Sequence, residues 1–242
     1  MKIRNRTLII LGVTFIVLFA FLFLTTEQIM ANSFGELEDK EVKKNIERAT
    51  AAIDTNIDSL ATTATDWGHW DDTYYFIKGE YEDYPENNLD IDSLVNLQTN
   101  MMLFYDATGQ IHYVVGVDLD NYEYTEVPAA VIENISSYEM LFSKNSQPSY
   151  ASGMINTPEG VLLIASNPIT RSTEREVITG TLIVARYLDE ALVQELEQTT
   201  SLSLDTHTFN IENSGLTTSK SYSASAMDNN LSIDRVSATS II

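Results

Sequence analysis

Asp66-Trp67-Gly68-His69-Trp70-Asp71-Asp72-Thr73-Tyr74 gathers both tryptophans of the chain, one of its three histidines and three carboxylates. Two large aromatic faces beside acidic groups suit a cage for a cationic ligand. They suit equally well a packed plug at the end of a helix, because aromatic stripes bury large areas. On an unbroken helix, Trp67, Trp70, Asp71 and Tyr74 share one inward arc of about 100°, with Asp66 at its edge and Gly68, His69 and Asp72 turned outward. An inward Asp71 carboxylate needs a partner, since an unpaired buried charge costs several kcal/mol or is neutralised. Arg186, a backbone amide and a ligand cation are the three candidates. Both readings of the cluster stay open.

Other chemistry finds less support. His69, His112 and His207 lack metal-ligand spacing, so no metal is expected. Asp118, Asp120 and Asn121 suggest calcium, but Glu123 stands where an EF-hand loop needs glycine, and a solvated turn is expected. The chain has no cysteine, which excludes disulfides, thiolate zinc sites and a thiol nucleophile. Phosphate loops, dinucleotide fingerprints and Gly-x-Ser-x-Gly elbows are absent from the sequence. No carboxylate pair is singled out for glycoside hydrolysis. Neither catalysis nor a cofactor is expected. A net charge of −21, from 35 acidic against 14 basic residues, repels nucleic acid. It fits an acidic domain facing the outside.

The elements that must position the cluster begin at a membrane. Lys2, Arg4 and Arg6 precede the apolar run Leu8–Leu24, and all 35 acidic residues follow it. Interrupted only by Gly12 and Thr14, this run is at the short end of a transmembrane helix. The positive-inside rule puts a tail at 1–7 in the cytoplasm, a span at 8–26 and the bulk outside. A signal peptide cleaved after Ala31 competes, but the apolar core exceeds the usual length for one.

From Ser33 to Ile77, Ile46, Ile53, Leu60, Trp67 and Tyr74 recur every seventh residue, with Ile57, Ala64 and Asp71 in the intermediate seam. The spacing predicts a long helix at 33–77. An amphipathic core helix needs only the same pattern, but the length favours a stalk that pairs in a homodimer and then docks on a domain at 78–242. Lys78–Asp92 reads as a turn region, followed by a short helical piece at Ser93–Gln98. Met101–Val117 reads as a β-hairpin around Asp106-Ala107-Thr108-Gly109, ended by Asp118–Asn121. A short helix is predicted at Pro128–Ile135, and strands at Pro148–Ile155, Gly160–Asn167 and Gly180–Tyr187. Leu188–Gln198 is helical, Ser201–Phe209 a strand, Asn213–Asn230 irregular, and Leu231–Ile242 the start of one more strand. Arg186 closes the face Leu182, Val184, Arg186 of its strand and should pair with a carboxylate of the protein or of a ligand.

This order of features resembles the type-four CHASE domain, an extracellular sensor module of prokaryotic membrane receptors. The likeness is carried by Asp66-Trp67-x-x-Trp70-Asp71-Asp72-Thr73-Tyr74, Phe104-Tyr105-Asp106-x-x-Gly109, Asn167-Pro168-Ile169 and Gly180–Asp189, and it covers about residues 33 to 240. It implies an α+β, Cache/PAS-like antiparallel sheet with a long N-terminal helix, preceded by one transmembrane helix. It also implies ligand sensing without catalysis, in receptors that feed histidine kinases, diguanylate cyclases or chemoreceptors. The expected pocket for an unidentified small molecule is lined by Trp67, Trp70, Asp71, Tyr74, Tyr113 and Arg186. Such modules sit between two spans. A second span, an output module and a closing strand are not read here, so a fragment is expected. The alternative is a membrane-anchored surface scaffold that senses nothing.

Overall fold

The computed structural model describes residues 3–143, 148–208, 220–226 and 229–233. Contacts divide the chain into two units, 1–47 and 48–242, with helix α1 (Ile3–Gly68) running through the boundary. The first unit is helical throughout its described length. Within it, Arg6–Thr26 is long and apolar enough to cross a bilayer, with a mean hydropathy of 2.9. Its hydroxyls bond back to the helix, Thr14 Oγ1 donating to Ile10 O at 2.8 Å and Thr25 Oγ1 to Phe21 O at 2.9 Å. A hydroxyl satisfied in this way is tolerated in hydrocarbon.

The second unit is built on a six-stranded sheet, every pair antiparallel, in the order β3-β2-β1-β6-β5-β4. Its strands are β1 (Met101–Asp106), β2 (Ile111–Asp118), β3 (Glu123–Thr125), β4 (Ala151–Thr157), β5 (Gly160–Ile169) and β6 (Gly180–Tyr187). The helices after α1 are α2 (Asp71–Ile77), α3 (Tyr84–Asn88), α4 (Ile91–Asn96), α5 (Ala129–Ser136) and α6 (Glu190–Thr200). Strands β1, β5 and β6 are buried on both faces, which is why they read as apolar runs and not as an alternation. Met102, Phe104, Leu163, Leu182 and Val184 face one core, with α1, α2, α4 and α6. Met101, Leu103, Leu162, Ile164 and Ile183 face the other, covered by Val131 and Ile135 of α5 and by Leu141.

The seven-residue stripe of α1 is spent on this sheet. Ile53, Ile57, Leu60 and Ala64 all lie buried in the first core. From Ile53 onward the stripe is therefore a packing face of the domain itself. Capping side chains set two helix starts. Asp189 caps α6 by accepting from Leu192 N at 2.9 Å, and Asp90 caps α4 through Ser93 N at 3.0 Å.

Three expectations need correction, and one short strand went unread. The helix read through Ile77 stops at Gly68 and restarts at Asp71. The turn region Lys78–Asp92 contains α3, with Pro85 in its first turn, where a missing N–H costs nothing. Asp118 Oδ1 accepts from Asp120 N and Asn121 N at 3.0 Å each, forming the solvated turn, but Tyr122 at φ 57° then reverses the chain into β3. That strand is three residues long and exposed, too short for an alternation to be read. Asn213–Asn230, read as irregular, contains β8: β7 (Ser203–Thr208), β8 (Lys220–Ala226) and β9 (Asn229–Ile233) form a second antiparallel sheet. A Ser- and Ala-rich strand pairs through its backbone without an apolar signature. The parts of these readings at 209–219 and 234–242 lie outside the described residues.

Candidate functional site

The aromatic-acidic motif is a joint between two helices. His69 N still donates to Thr65 O at 3.1 Å, and Trp70 N to Trp67 O at 3.3 Å. Trp70 then turns extended, at φ −86° and ψ 133°, and α2 starts behind it. The break is docked on the end of β5. A Cβ on Gly68 would lie 2.6 Å from Asn167 Nδ2 and 3.0 Å from Pro168 O, so only glycine allows the approach. Thr170 N donates to Gly68 O at 2.9 Å, satisfying a carbonyl that the helix end leaves free. Two motifs distant in sequence, Trp67-Gly68-His69 and Asn167-Pro168-Ile169, are thus the halves of one joint.

The break redistributes the residues that an unbroken helix would place on one arc. Asp71 Oδ1 accepts from Ser172 N at 2.8 Å, so of its three candidate partners the backbone amide is the one it has. That hydrogen bond, aided by the Ser172 hydroxyl and by Arg171, holds the carboxyl below the usual carboxylate range. Tyr74 is buried, with Lys78 Nζ 5.4 Å and the Arg171 guanidinium 5.9 Å from its ring centroid. Asp71 and Tyr74 are therefore both engaged with the loop that follows β5. His69, expected to face outward, is half-buried with Nε2 3.3 Å from Asn167 Nδ2, because the two-residue break rotates it toward β5.

The tryptophans begin a column of rings. Trp67 and Trp70 meet edge to face at 5.5 Å, and Trp70 leans on Tyr84 at 6.5 Å. Tyr84 is wholly buried, its hydroxyl 2.8 Å from Thr73 Oγ1, and burial pushes its phenol well up. It stacks on Phe76 at 4.5 Å; Phe76 in turn meets Phe104 at 5.6 Å and Tyr113 at 5.7 Å. Trp70, 40% exposed, is the surface end of the column, and Tyr113 on β2 lies at its sheet end. Trp67, Trp70 and Tyr113 thus share one aromatic cluster.

Arg186 belongs elsewhere. Its guanidinium is buried on the first-core face of β6, Nη2 donating to Glu195 Oε2 at 2.9 Å and Nη1 to Asn56 Oδ1 at 3.3 Å. Asn56 precedes Trp67 on α1 by roughly 16 Å of helix, so the fold does not bring Arg186 to the tryptophans. Glu195 is 53% exposed, and the pair is correspondingly screened. We expect Glu195→Gln, which keeps an acceptor for Arg186, to cost at most about 1 kcal/mol in urea unfolding. A larger loss would show that the ion pair, and not the hydrogen bond, holds α6 to β6.

Tyr84 and Phe76 join these residues in the cluster and were not singled out from the sequence, while Asn167 entered only as part of the Asn167-Pro168-Ile169 motif. Tyr84 sits in an acidic stretch that reads as a solvated loop. The usable signal was Asn167, a polar residue closing a run of buried apolar ones, which obliges it to find partners.

The family model of the CHASE4 domain matches residues 52–207. The chain is 29% identical over 175 residues to the methanogenesis regulatory histidine kinase FilI of Methanothrix harundinacea, a match covering 72% of this chain and 20% of that protein. It therefore spans about a fifth of the length of that relative. Among solved structures it is similar to the extracellular domain of vpHK1S-Z8, described as a histidine kinase, with a TM-score of 0.50 and 14% identity over 72% of this chain and 69% of that one. The periplasmic domain of Vibrio cholerae LuxQ gives a TM-score of 0.46 and 12% identity over 68% and 73% of the two chains. The likeness to vpHK1S-Z8 is one of fold, an α+β arrangement with an antiparallel sheet.

Proposed function

The chain belongs to the CHASE4 domain family, and from that premise we propose that it is the extracytoplasmic ligand-sensing part of a membrane-anchored receptor. In this reading Arg6–Thr26 crosses the membrane with the N-terminus in the cytoplasm, and the ligand is a small molecule bound at the Trp67–Trp70 end of the ring column. The observation that carries the proposal is Trp70. A large aromatic, 40% exposed, sits in a helix break and leans on the fully buried Tyr84. A ligand seated on Trp70 would press through Tyr84 and Phe76 on the sheet, and through the break on the end of α1. It would signal only by binding two arrangements of this joint unequally, since equal affinity shifts nothing. Asp71 and Tyr74, which tie α2 to the loop after β5, would set the resting arrangement. A kinase or other output, as in the histidine-kinase relative, is part of the same proposal.

A thermal-shift screen of small molecules on the whole chain in nanodiscs tests it. We expect a ligand that raises the Tm of the wild type and has no effect on Trp70→Ala. A ligand that stabilises both equally would remove Trp70 from the site. If no compound shifts either protein, the tryptophans serve packing alone, and the scaffold reading replaces the sensor.

A further inference from the structure

We infer that the His69–Asn167 contact is a proton-sensitive latch on the joint between α1 and β5, closed while His69 is neutral and released when it is protonated. It deepens the sensor reading, on which its role in signalling rests. Asn167 is 1% exposed, so its amide must be satisfied by protein groups. Nδ2 donates to Pro168 O at 3.0 Å, which orients the amide and leaves Oδ1 facing the Thr65 hydroxyl at 3.3 Å. The same Nδ2 lies 3.3 Å from His69 Nε2. A donor at that distance requires a lone pair on Nε2, and so the ring proton is on Nδ1.

A second proton on the ring sets an N–H against an N–H. Asn167 cannot relieve this by flipping, because its Oδ1 would then oppose the Pro168 carbonyl. The charged groups around His69 do not rescue the cation. Asp66 on α1 favours it, Arg175 in the loop after β5 opposes it, and β5 offers only the neutral Asn167 and Pro168. The first carboxylate of α2, Asp71, is already engaged by Ser172 N at 2.8 Å. Burial first, and Arg175 second, lower the His69 pKa from 6.5 despite Asp66. The closed joint therefore binds fewer protons than the opened one, and opening is favoured as pH falls below 6.5. The same joint holds Thr170 N on Gly68 O, so release of the latch weakens the hold of the sheet on the end of α1.

The test uses the whole chain in nanodiscs. An NMR titration of the His69 imidazole, assigned with His69→Gln, is combined with amide exchange of Thr170 between about pH 7.5 and 5.5, corrected for intrinsic rates. We expect His69 to titrate below 6.5. Protection of the Thr170 amide should fall on acidification, by up to about tenfold per pKa unit separating the closed and opened joints. In His69→Gln, whose amide oxygen still accepts from Asn167 but cannot titrate, protection should stay flat. Titration of His69 at or above 6.5 in the wild type overturns the latch, as does an equal loss of protection in the Gln variant. The ligand screen is run at constant neutral pH, so a failed latch leaves the sensor reading standing.

Discussion

Phe76→Ala should lower the stability of the domain by about 3–5 kcal/mol, the usual cost of emptying a buried phenylalanine site, and its Tm by roughly 10 °C. Phe76 is the hub of the ring column, meeting Tyr84 at 4.5 Å, His112 at 4.8 Å, Phe104 at 5.6 Å and Tyr113 at 5.7 Å. It is 6% exposed, and its neighbours come from three different elements, α3, β1 and β2. Such a site collapses poorly when emptied, because no single segment can move into the space without dragging its own packing. The two tryptophans of the chain both lie in this cluster, so intrinsic fluorescence reports on it directly. We expect a red-shifted emission in Phe76→Ala, as Tyr84 loses its stacking partner and Trp70 loses its support. Urea unfolding followed at the tryptophans checks both effects. A loss below about 1 kcal/mol would show that the rings touch without supporting one another.

Gly68→Ala should reverse the usual sign of a glycine-to-alanine change in a helix. Within an ordinary helix the substitution gains up to about 1 kcal/mol. Here the new methyl meets Asn167 Nδ2 at 2.6 Å and the backbone oxygen of Pro168 at 3.0 Å. Neither can yield easily, since Asn167 is buried and hydrogen-bonded and Pro168 is in β5. Overpacking of this kind costs about 1–3 kcal/mol. The joint should open before the domain unfolds, so exchange of the Thr170 amide should accelerate at temperatures where the core strands remain protected. Gly12→Ala is the control: nothing lies within 4 Å of its would-be Cβ, and no loss is expected there. A rise in the Tm of Gly68→Ala would mean that α1 and β5 are not in close contact at this point.

These two substitutions bracket what could be read from the amino acids alone. The hairpin at Asp106–Gly109, the strand Gly180–Tyr187 and the apolar run at 8–24 were legible because each is a local effect. Turn residues and short apolar runs act within a few residues of where they stand. Family resemblance was legible for the same reason, through short runs of adjacent residues. The break at 69–70 was not, since an amphipathic stripe looks the same whether or not the helix carrying it is interrupted.

The chain's own order determined that Trp67, Trp70, Asp71 and Tyr74 lie close together, and that a long helix leads from an apolar run into them. Only the tertiary structure decided what each one meets. On an unbroken helix Gly68 merely turns outward, yet its role comes from Asn167 and Pro168, which local propensity cannot see. The same contact turns His69 inward, ties Asp71 to Ser172 and leaves Trp70 as the exposed end of a column whose centre is Tyr84 and Phe76. Arg186 was correctly read as a paired cation, but which carboxylate it meets depends on how α6 crosses the sheet. Long-range packing assigns partners, and sequence periodicity assigns only faces.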